Sequence, residues 1–269
     1  MTTSTQETHP TASRPPLPPR GPAGLYARLH RGTPGDVDFY GRACTGQGSI
    51  LELGCGHGRL LRTLGSATTH LVGVDLDPGL LDLARRACDK IRPRPASVEL
   101  LQADMCTLEL GRTFDRVLIP YCGLYCLADE ASVIAALGRA REHLAPDGEL
   151  LFDAYYADPV HEELLMEEAP IDDPPEEVAN LRWQAQDYEV HESSRWWPSE
   201  QVVEVTYEHR PVGGGEPVLA GVRHRYLLAL DLPRLLGAAG LRLLALDGGF
   251  HGEPLDEESE MLVARAALA

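Results

Sequence analysis

The stretch Ile50-Leu-Glu52-Leu-Gly54-Cys55-Gly56-His-Gly58-Arg59 sets three glycines at alternate positions after a short apolar run. Glycine has no side chain to hold a ligand away and tolerates positive φ, so backbone at such a turn can lie directly against a bound small molecule. The helix expected after it aims free N–H groups and a positive dipole end at the same spot. Taken alone, such a turn serves any nucleotide-like ligand. Further along stand Asp75 and Asp77, then Asp104, then Tyr121 after Pro120. A carboxylate at a strand end accepts hydrogen bonds either from a ligand or from its own turn. Asp77-Pro78 reads as a helix N-cap with proline in the first turn. His57, between required glycines, reads as backbone-facing rather than catalytic.

The surrounding pattern alternates strands and helices. Strands are expected at 49–53, 70–75, 97–102, 114–120 and 149–154, with helices at 58–65, 78–92 and 130–144. Leu80, Leu81, Ala84 and Ala87 fall at helical spacing in the second of these. Such alternation implies a parallel sheet covered on both faces, with ligands at the C-terminal strand ends. Residues 23–46, with Tyr26, suit one or two short helices, either a lid over the pocket or a brace outside the sheet. Residues 158–180, dense in acids and prolines, read as an exposed helix and acidic linker. Three β-rich segments follow at 181–192, 201–210 and 218–229, with Gly213-Gly-Gly215 as a hairpin turn. A helix at 231–239, stopped by Gly240, and strands at 241–247 and 259–267 close the pattern.

Composition narrows the class. The 269 residues carry a net charge of −17 and a single lysine, Lys90, so phosphate-rich partners are repelled and no nucleic acid is expected. No apolar run reaches the ~18 residues of a membrane helix, and no signal-peptide core opens the chain. Six cysteines form no CxxC pair and read as reduced thiols, which points to a cytoplasmic protein. Residues 1–22, rich in Thr, Ser and Pro, read as a mobile tail.

Four signals in order resemble a class I S-adenosylmethionine-dependent methyltransferase of the small-molecule type, with a methyltransferase-25-like core. They are Glu52-Leu-Gly54-Cys-Gly56-His-Gly58-Arg59, Gly73-Val-Asp75-Leu76-Asp77, Gln102-Ala-Asp104-Met105, and Phe114-Asp-Arg-Val-Leu-Ile-Pro120-Tyr121 with Leu144-Ala-Pro-Asp-Gly148. The resemblance covers roughly residues 36–155. Leu235-Leu-Gly-Ala-Ala-Gly240 and Met261-Leu-Val-Ala-Arg265 extend it. It implies an α/β fold: a Rossmann-like, seven-stranded, mostly parallel sheet with its last strand antiparallel, helices on both faces, plus an antiparallel β insert. The cofactor-binding domain would comprise 23–157 and 230–269. The acidic linker and insert, 158–229, would cover the acceptor.

The resemblance also implies S-adenosyl-L-methionine as cofactor and S-adenosyl-L-homocysteine as product. Gly54, Gly56 and Gly58, with Cys55, would approach the methionine portion, and Glu52 would receive its ammonium. Asp75 would accept from both ribose hydroxyls, Asp104 would accept from the adenine amino group, and Leu76 and Met105 would sandwich the ring. Arg59 would reach the carboxylate, with Tyr26 and Pro120 completing the contacts. A nicotinamide-dependent oxidoreductase is the rival enzyme class; its G-x-G-x-x-G needs a small residue where Arg59 stands. A non-catalytic methyltransferase-like binding module is the rival of another class, which the full cofactor set argues against.

Methyl transfer from a sulfonium mainly needs a nucleophile that is aligned with the methyl, sheltered from water and deprotonated. The acceptor is expected to be a small molecule, with nitrogen favoured over oxygen because the chain is acidic. Tyr121 and His224 are the catalytic candidates: a residue after strand four, and a neutral imidazole suited to proton acceptance. Tyr155, Arg195, Trp196 and Trp197 are the substrate candidates, the tryptophan pair forming an apolar or cation-binding wall or packing the insert. Asp153 and Asp158 alone make no metal site, so no metal is expected. A homodimer is left open, and the acceptor's identity is not legible here.

Overall fold

The computed structural model describes residues 16–167 and 169–269; the first fifteen residues of the expected tail lie outside them. In chain order the elements are α1 (Ala23–Leu29), α2 (Asp36–Cys44), β1 (Ser49–Leu53), α3 (Leu61–Leu64), β2 (His70–Asp75), α4 (Pro78–Cys88), β3 (Ser97–Gln102), β4 (Phe114–Ile119), α5 (Glu130–Glu142), β5 (Leu144–Tyr155) and α6 (Asp158–Leu164). There follow β6 (Ile171–Trp183), β7 (Gln186–Trp197), β8 (Val202–Pro211), β9 (Val218–Arg225), α7 (Leu232–Ala238), β10 (Leu241–Asp247) and β11 (Met261–Leu268).

Seven strands form one sheet in the order β10-β11-β5-β4-β1-β2-β3. β1 to β5 pair in parallel, whereas β11 runs antiparallel to both β5 and β10. Alternation along each strand divides the core. Leu51, Val117 and Leu150 face α5 and α7, while Ile50, Leu118 and Leu151 face α2, α3 and α4. The chain leaves β1 toward β2 and β3, then returns to place β4 on the other side of β1. That reversal opens a crevice at the C-terminal strand ends, the place where such sheets take ligands.

The insert differs from expectation in a way its residues explain. It is a four-stranded antiparallel meander, β6-β7-β8-β9. The segment expected as one strand at 181–192 spans a hairpin, because Gln184 and Ala185 both adopt left-handed backbone (φ 49° and 64°). Two successive positive-φ residues make the tight turn whose twist matches paired strands. Of the stretch expected as an exposed helix and acidic linker, the helix is α6, and much of the linker is strand β6. Pro174-Pro175 is tolerated in a strand because β6 is the sheet's edge and the pair falls at a register shift between Asp173 and Glu176. The Gly213–Gly215 turn stands where expected, with all three glycines at positive φ.

At the end of the expected tail, residues 16–22 run beside β9. Gly221 N–H donates to the Pro19 carbonyl at 3.0 Å. A Cβ on Gly221 would come within 2.5 Å of the Pro18 carbonyl oxygen, so this seat requires glycine.

Candidate active site

β1 ends in Leu53 and the chain turns through Gly54 (φ 74°), Gly56 (φ 51°) and Gly58 (φ 74°). Four of the turn's own N–H groups are used internally. Those of Gly54 and Cys55 donate to the Val74 carbonyl at 2.8 and 2.9 Å, and that of Gly58 donates to the Cys55 carbonyl at 2.9 Å. The Gly56 N–H donates to Asp75 Oδ2 at 2.7 Å. The helix expected from residue 58 begins only at Leu61 and lasts four residues, because Gly58 is left-handed and cannot be helical. A helix N-terminus therefore contributes little here. Close backbone approach and carboxylates remain.

The crevice is lined by Glu52, Gly54, Cys55, Gly56, His57, Arg59, Asp75, Leu76, Asp104, Met105, Pro120 and Tyr121, with Tyr26 and His30 from α1 and its end. Of the cofactor residues expected from sequence, only Gly58 is turned away. A Cβ there would stand 3.1 Å from Ala84 on α4, so this glycine answers to helix packing.

Asp75 is nearly buried, and its Oδ1 accepts from the Asp77 N–H at 2.9 Å. Each carboxylate oxygen keeps a further lone pair for a ligand. Asp77 caps α4, accepting from Gly79 and Leu80, as expected. Asp104 Oδ1 accepts from the Cys106 N–H at 2.8 Å. Leu76 leaves 63% of its area exposed at the edge of the crevice.

Glu52 is buried at 2% exposure, and its Oε2 has no hydrogen-bond partner. Burial pushes its carboxyl up to about 8, against the pull of Arg59. A carboxylate left so is an invitation to a cationic group. Arg59 itself is gripped by Asp36, its Nη1 and Nη2 donating to Oδ1 and Oδ2 at 2.9 and 2.6 Å. Its guanidinium carbon lies 5.7 Å from the centre of the Tyr121 ring.

Tyr121 and Cys122 both adopt left-handed backbone, at φ 54° and 60°. Asp153 holds the bend: its Oδ1 accepts from the Tyr121 N–H at 3.0 Å and from the Tyr40 hydroxyl at 2.5 Å. Strain held in this way at a cavity wall is typical of functional positions.

Through Arg20, Tyr26, His30, Tyr121 and Cys126, which border both, the crevice opens into a second chamber. Its far wall is the inner face of the insert, read at period two: Glu192, Ser194 and Trp196 on β7, Val203, Val205 and Tyr207 on β8, Val222 and His224 on β9. Trp196 Nε1–H donates to Asp173 Oδ2 at 2.9 Å. Tyr155 lines the same chamber, and its hydroxyl oxygen is buried without a partner. Burial holds both His224 and His30 down to about 4, so both imidazoles are neutral near pH 7. Burial also raises the Tyr121 hydroxyl to about 12, keeping it protonated.

The tryptophan wall expected from sequence is split. Trp196 faces the chamber, and Trp197 and Arg195 do not line it, because neighbours on a strand point to opposite faces. Arg195 pairs instead with Asp172, Nη2 to Oδ2 at 3.0 Å, beside the Pro16–Pro18 segment. His30, Asp36, Glu192 and Tyr207 were not singled out from sequence. Tyr26 and His30 are four apart on one helical face, with rings 4.1 Å between centres, a spacing that was readable. The Asp36–Arg59 pair carries no local signal.

A doubly covered sheet of this order, with an antiparallel strand between its fifth and sixth parallel members and a glycine-turn crevice at the reversal, is the class I methyltransferase fold. Residues 50–148 match the family model described as a methyltransferase domain. A dTDP-3-amino-3,6-dideoxy-alpha-D-glucopyranose N,N-dimethyltransferase of Streptomyces fradiae is 32% identical over 108 residues, 40% of each chain. The chain spans less than half the length of the curated relatives it matches. Among solved structures, the CcbJ methyltransferase from Streptomyces caelestis superposes with a TM-score of 0.73 at 22% identity, covering 88% of this chain and 97% of that one. The sugar N-methyltransferase KedS8 from Streptoalloteichus sp ATCC 53650 superposes at 0.65 with 21% identity over 98% of both. At these identities the likeness is one of fold, and it includes the insert.

Proposed function

We propose that the chain is an S-adenosylmethionine-dependent methyltransferase acting on an amine of a small-molecule acceptor. The observation that carries this reading is the partnerless buried oxygen of Glu52, in one crevice with Asp75 and Asp104, opening into a second chamber lined by aromatic and acidic groups. These residues fit the cofactor. Glu52 would take the ammonium, Asp75 the ribose hydroxyls and Asp104 the adenine amino group. Leu76 and Met105 would cover the ring; burying the exposed Leu76 surface contributes roughly 1 kcal/mol. When bound, the cofactor supplies an activated methyl group.

The chain's residues then align and shelter the nucleophile. An acceptor nitrogen would be held in line with the cofactor's methyl, and the methylated ammonium would then have a proton to give up. His224, neutral and facing the chamber, is the imidazole proposed to receive it. Tyr121, at the boundary of the two cavities, would hydrogen-bond the acceptor through a protonated hydroxyl. Nitrogen is favoured because Asp173 and Glu192 face the chamber, and because the named relatives include N-methyltransferases.

Calorimetry with S-adenosylmethionine tests the first half: a folded sample that does not bind it refutes the enzyme reading. A cofactor-consumption screen over amine, hydroxyl and thiol acceptors tests the second. With the best acceptor, His224→Ala should cut turnover and leave cofactor affinity intact, whereas an undiminished rate removes the proton-acceptor role.

A further inference from the structure

Arg59 is held from three sides. Asp36 engages both terminal nitrogens. The Tyr121 ring lies against the guanidinium. On the third side passes the backbone of Gly32 at φ 91°, where an added Cβ would stand 2.2 Å from the guanidinium carbon. Asp36 is itself fixed, since its Oδ2 accepts from the Thr33 N–H at 3.2 Å at the start of α2. The pair is buried, with Arg59 and Asp36 side chains at 11% and 3% exposure.

A buried ion pair adds little to fold stability, because desolvation offsets the attraction. What it supplies is orientation. Of the five guanidinium N–H groups, Asp36 takes two, and the remaining three belong to a residue that lines the cofactor crevice beside Glu52.

We infer that Asp36 is a positioning residue for recognition of the cofactor's carboxylate: it locks Arg59 in the orientation that presents its free N–H groups to that anion. This rests on the S-adenosylmethionine reading above. The charges in the pocket support it. The ligand's carboxylate would face Arg59 and its ammonium would face Glu52, so each charge at the amino-acid end meets an opposite one. Without Asp36 the guanidinium would keep its charge and lose its geometry.

The test is calorimetry with two thioethers of adenosine: S-adenosylhomocysteine, which has the amino-acid end, and 5′-deoxy-5′-methylthioadenosine, which lacks it. Asp36→Asn is expected to weaken S-adenosylhomocysteine roughly tenfold, the scale of a disturbed charge-assisted hydrogen bond, and methylthioadenosine less than about twofold. Arg59→Gln should show the same selective loss, and the double variant no more than Arg59→Gln alone. Equal losses for both ligands would reduce Asp36 to scaffolding. Tighter binding of S-adenosylhomocysteine by Asp36→Asn would mean that Asp36 competes for Arg59, and would overturn the inference. If melting shows Asp36→Asn unfolded, Asp36→Glu and Gly32→Ala disturb the same socket and must show the same ligand selectivity. Wild-type protein that binds neither thioether overturns the cofactor reading itself, an outcome visible before any variant is compared.

Discussion

Glu52 should make ligand binding sensitive to pH. In the unliganded fold its carboxyl holds a proton up to about 8, whereas an unfolded glutamate releases it near 4.3. Between these values the fold binds the extra proton, so the stability this group contributes is present at low pH and is lost as pH rises toward 8. A cation docked against the orphan oxygen favours the ionised form and expels that proton. Affinity for S-adenosylhomocysteine should therefore climb with pH below about 8, by at most about tenfold per unit. Calorimetry in buffers of different ionisation enthalpy at pH 7 should register net proton release for wild type and none from this site for Glu52→Gln. Asp75 is proposed to carry a separate share of the cofactor affinity. Asp75→Ala should cost roughly 1–3 kcal/mol of cofactor binding, since two ribose hydrogen bonds and the brace on Gly56 go together; an unchanged dissociation constant would take Asp75 out of the site.

At the level of elements, the β6–β7 hairpin is the instructive case. Its turn residues, Gln184 and Ala185, sit in left-handed backbone without the chemistry that favours it. Replacing them with Asn-Gly should stabilise the protein by roughly 0.5–1 kcal/mol, because that pair adopts the turn with less strain. A thermal melting point that stays level or falls would reject this account. The same hairpin governs which side chains meet the acceptor chamber. Trp196 enters it and Trp197 does not, and a shift of one residue in register would exchange every chamber residue of β7 for its neighbour. The short α3 shows the converse dependence, in which one left-handed glycine, packed on Ala84, decides where a helix can start.

Across the whole molecule, the sheet supplies the floor of the crevice, and two units outside it, one before β1 and one after α6, supply its cover. α1 and α2 bring Tyr26, His30 and Asp36 over one side, and the insert sheet closes the acceptor chamber. Ligand and cover are thus expected to order one another. Hydrogen exchange of residues 23–44 should slow on adding S-adenosylhomocysteine, while β2 and β3, already inside the sheet, change little. Equal protection across the chain, or none in α1 and α2, would show that these helices are bracing rather than cover. Among the described residues no helix is long and apolar enough to cross a membrane.

The βαβ rhythm, the glycine turn and the carboxylates at 52, 75 and 104 were legible in the residues alone. They depend on short-range rules: strand and helix periodicity, glycine's access to positive φ, and the position of an acid at a strand end. The cap at Asp77 was readable for the same reason. The hairpin hidden in 171–197 was not, because Gln-Ala carries no turn signal and the acidic, proline-bearing strand survives only as a sheet edge. Nor was the grip of Asp36 on Arg59, the hold of Asp153 on Tyr121, or the meeting of Glu192, Tyr207 and His30 around one chamber. Those contacts join residues far apart in the chain, and the way the sheet folds back on itself decides them. The residues by themselves determined the glycine turn and the acids set around it. Tertiary structure alone decided what packs over the crevice and which tryptophan enters the second chamber, because both depend on contacts between segments far apart in the chain.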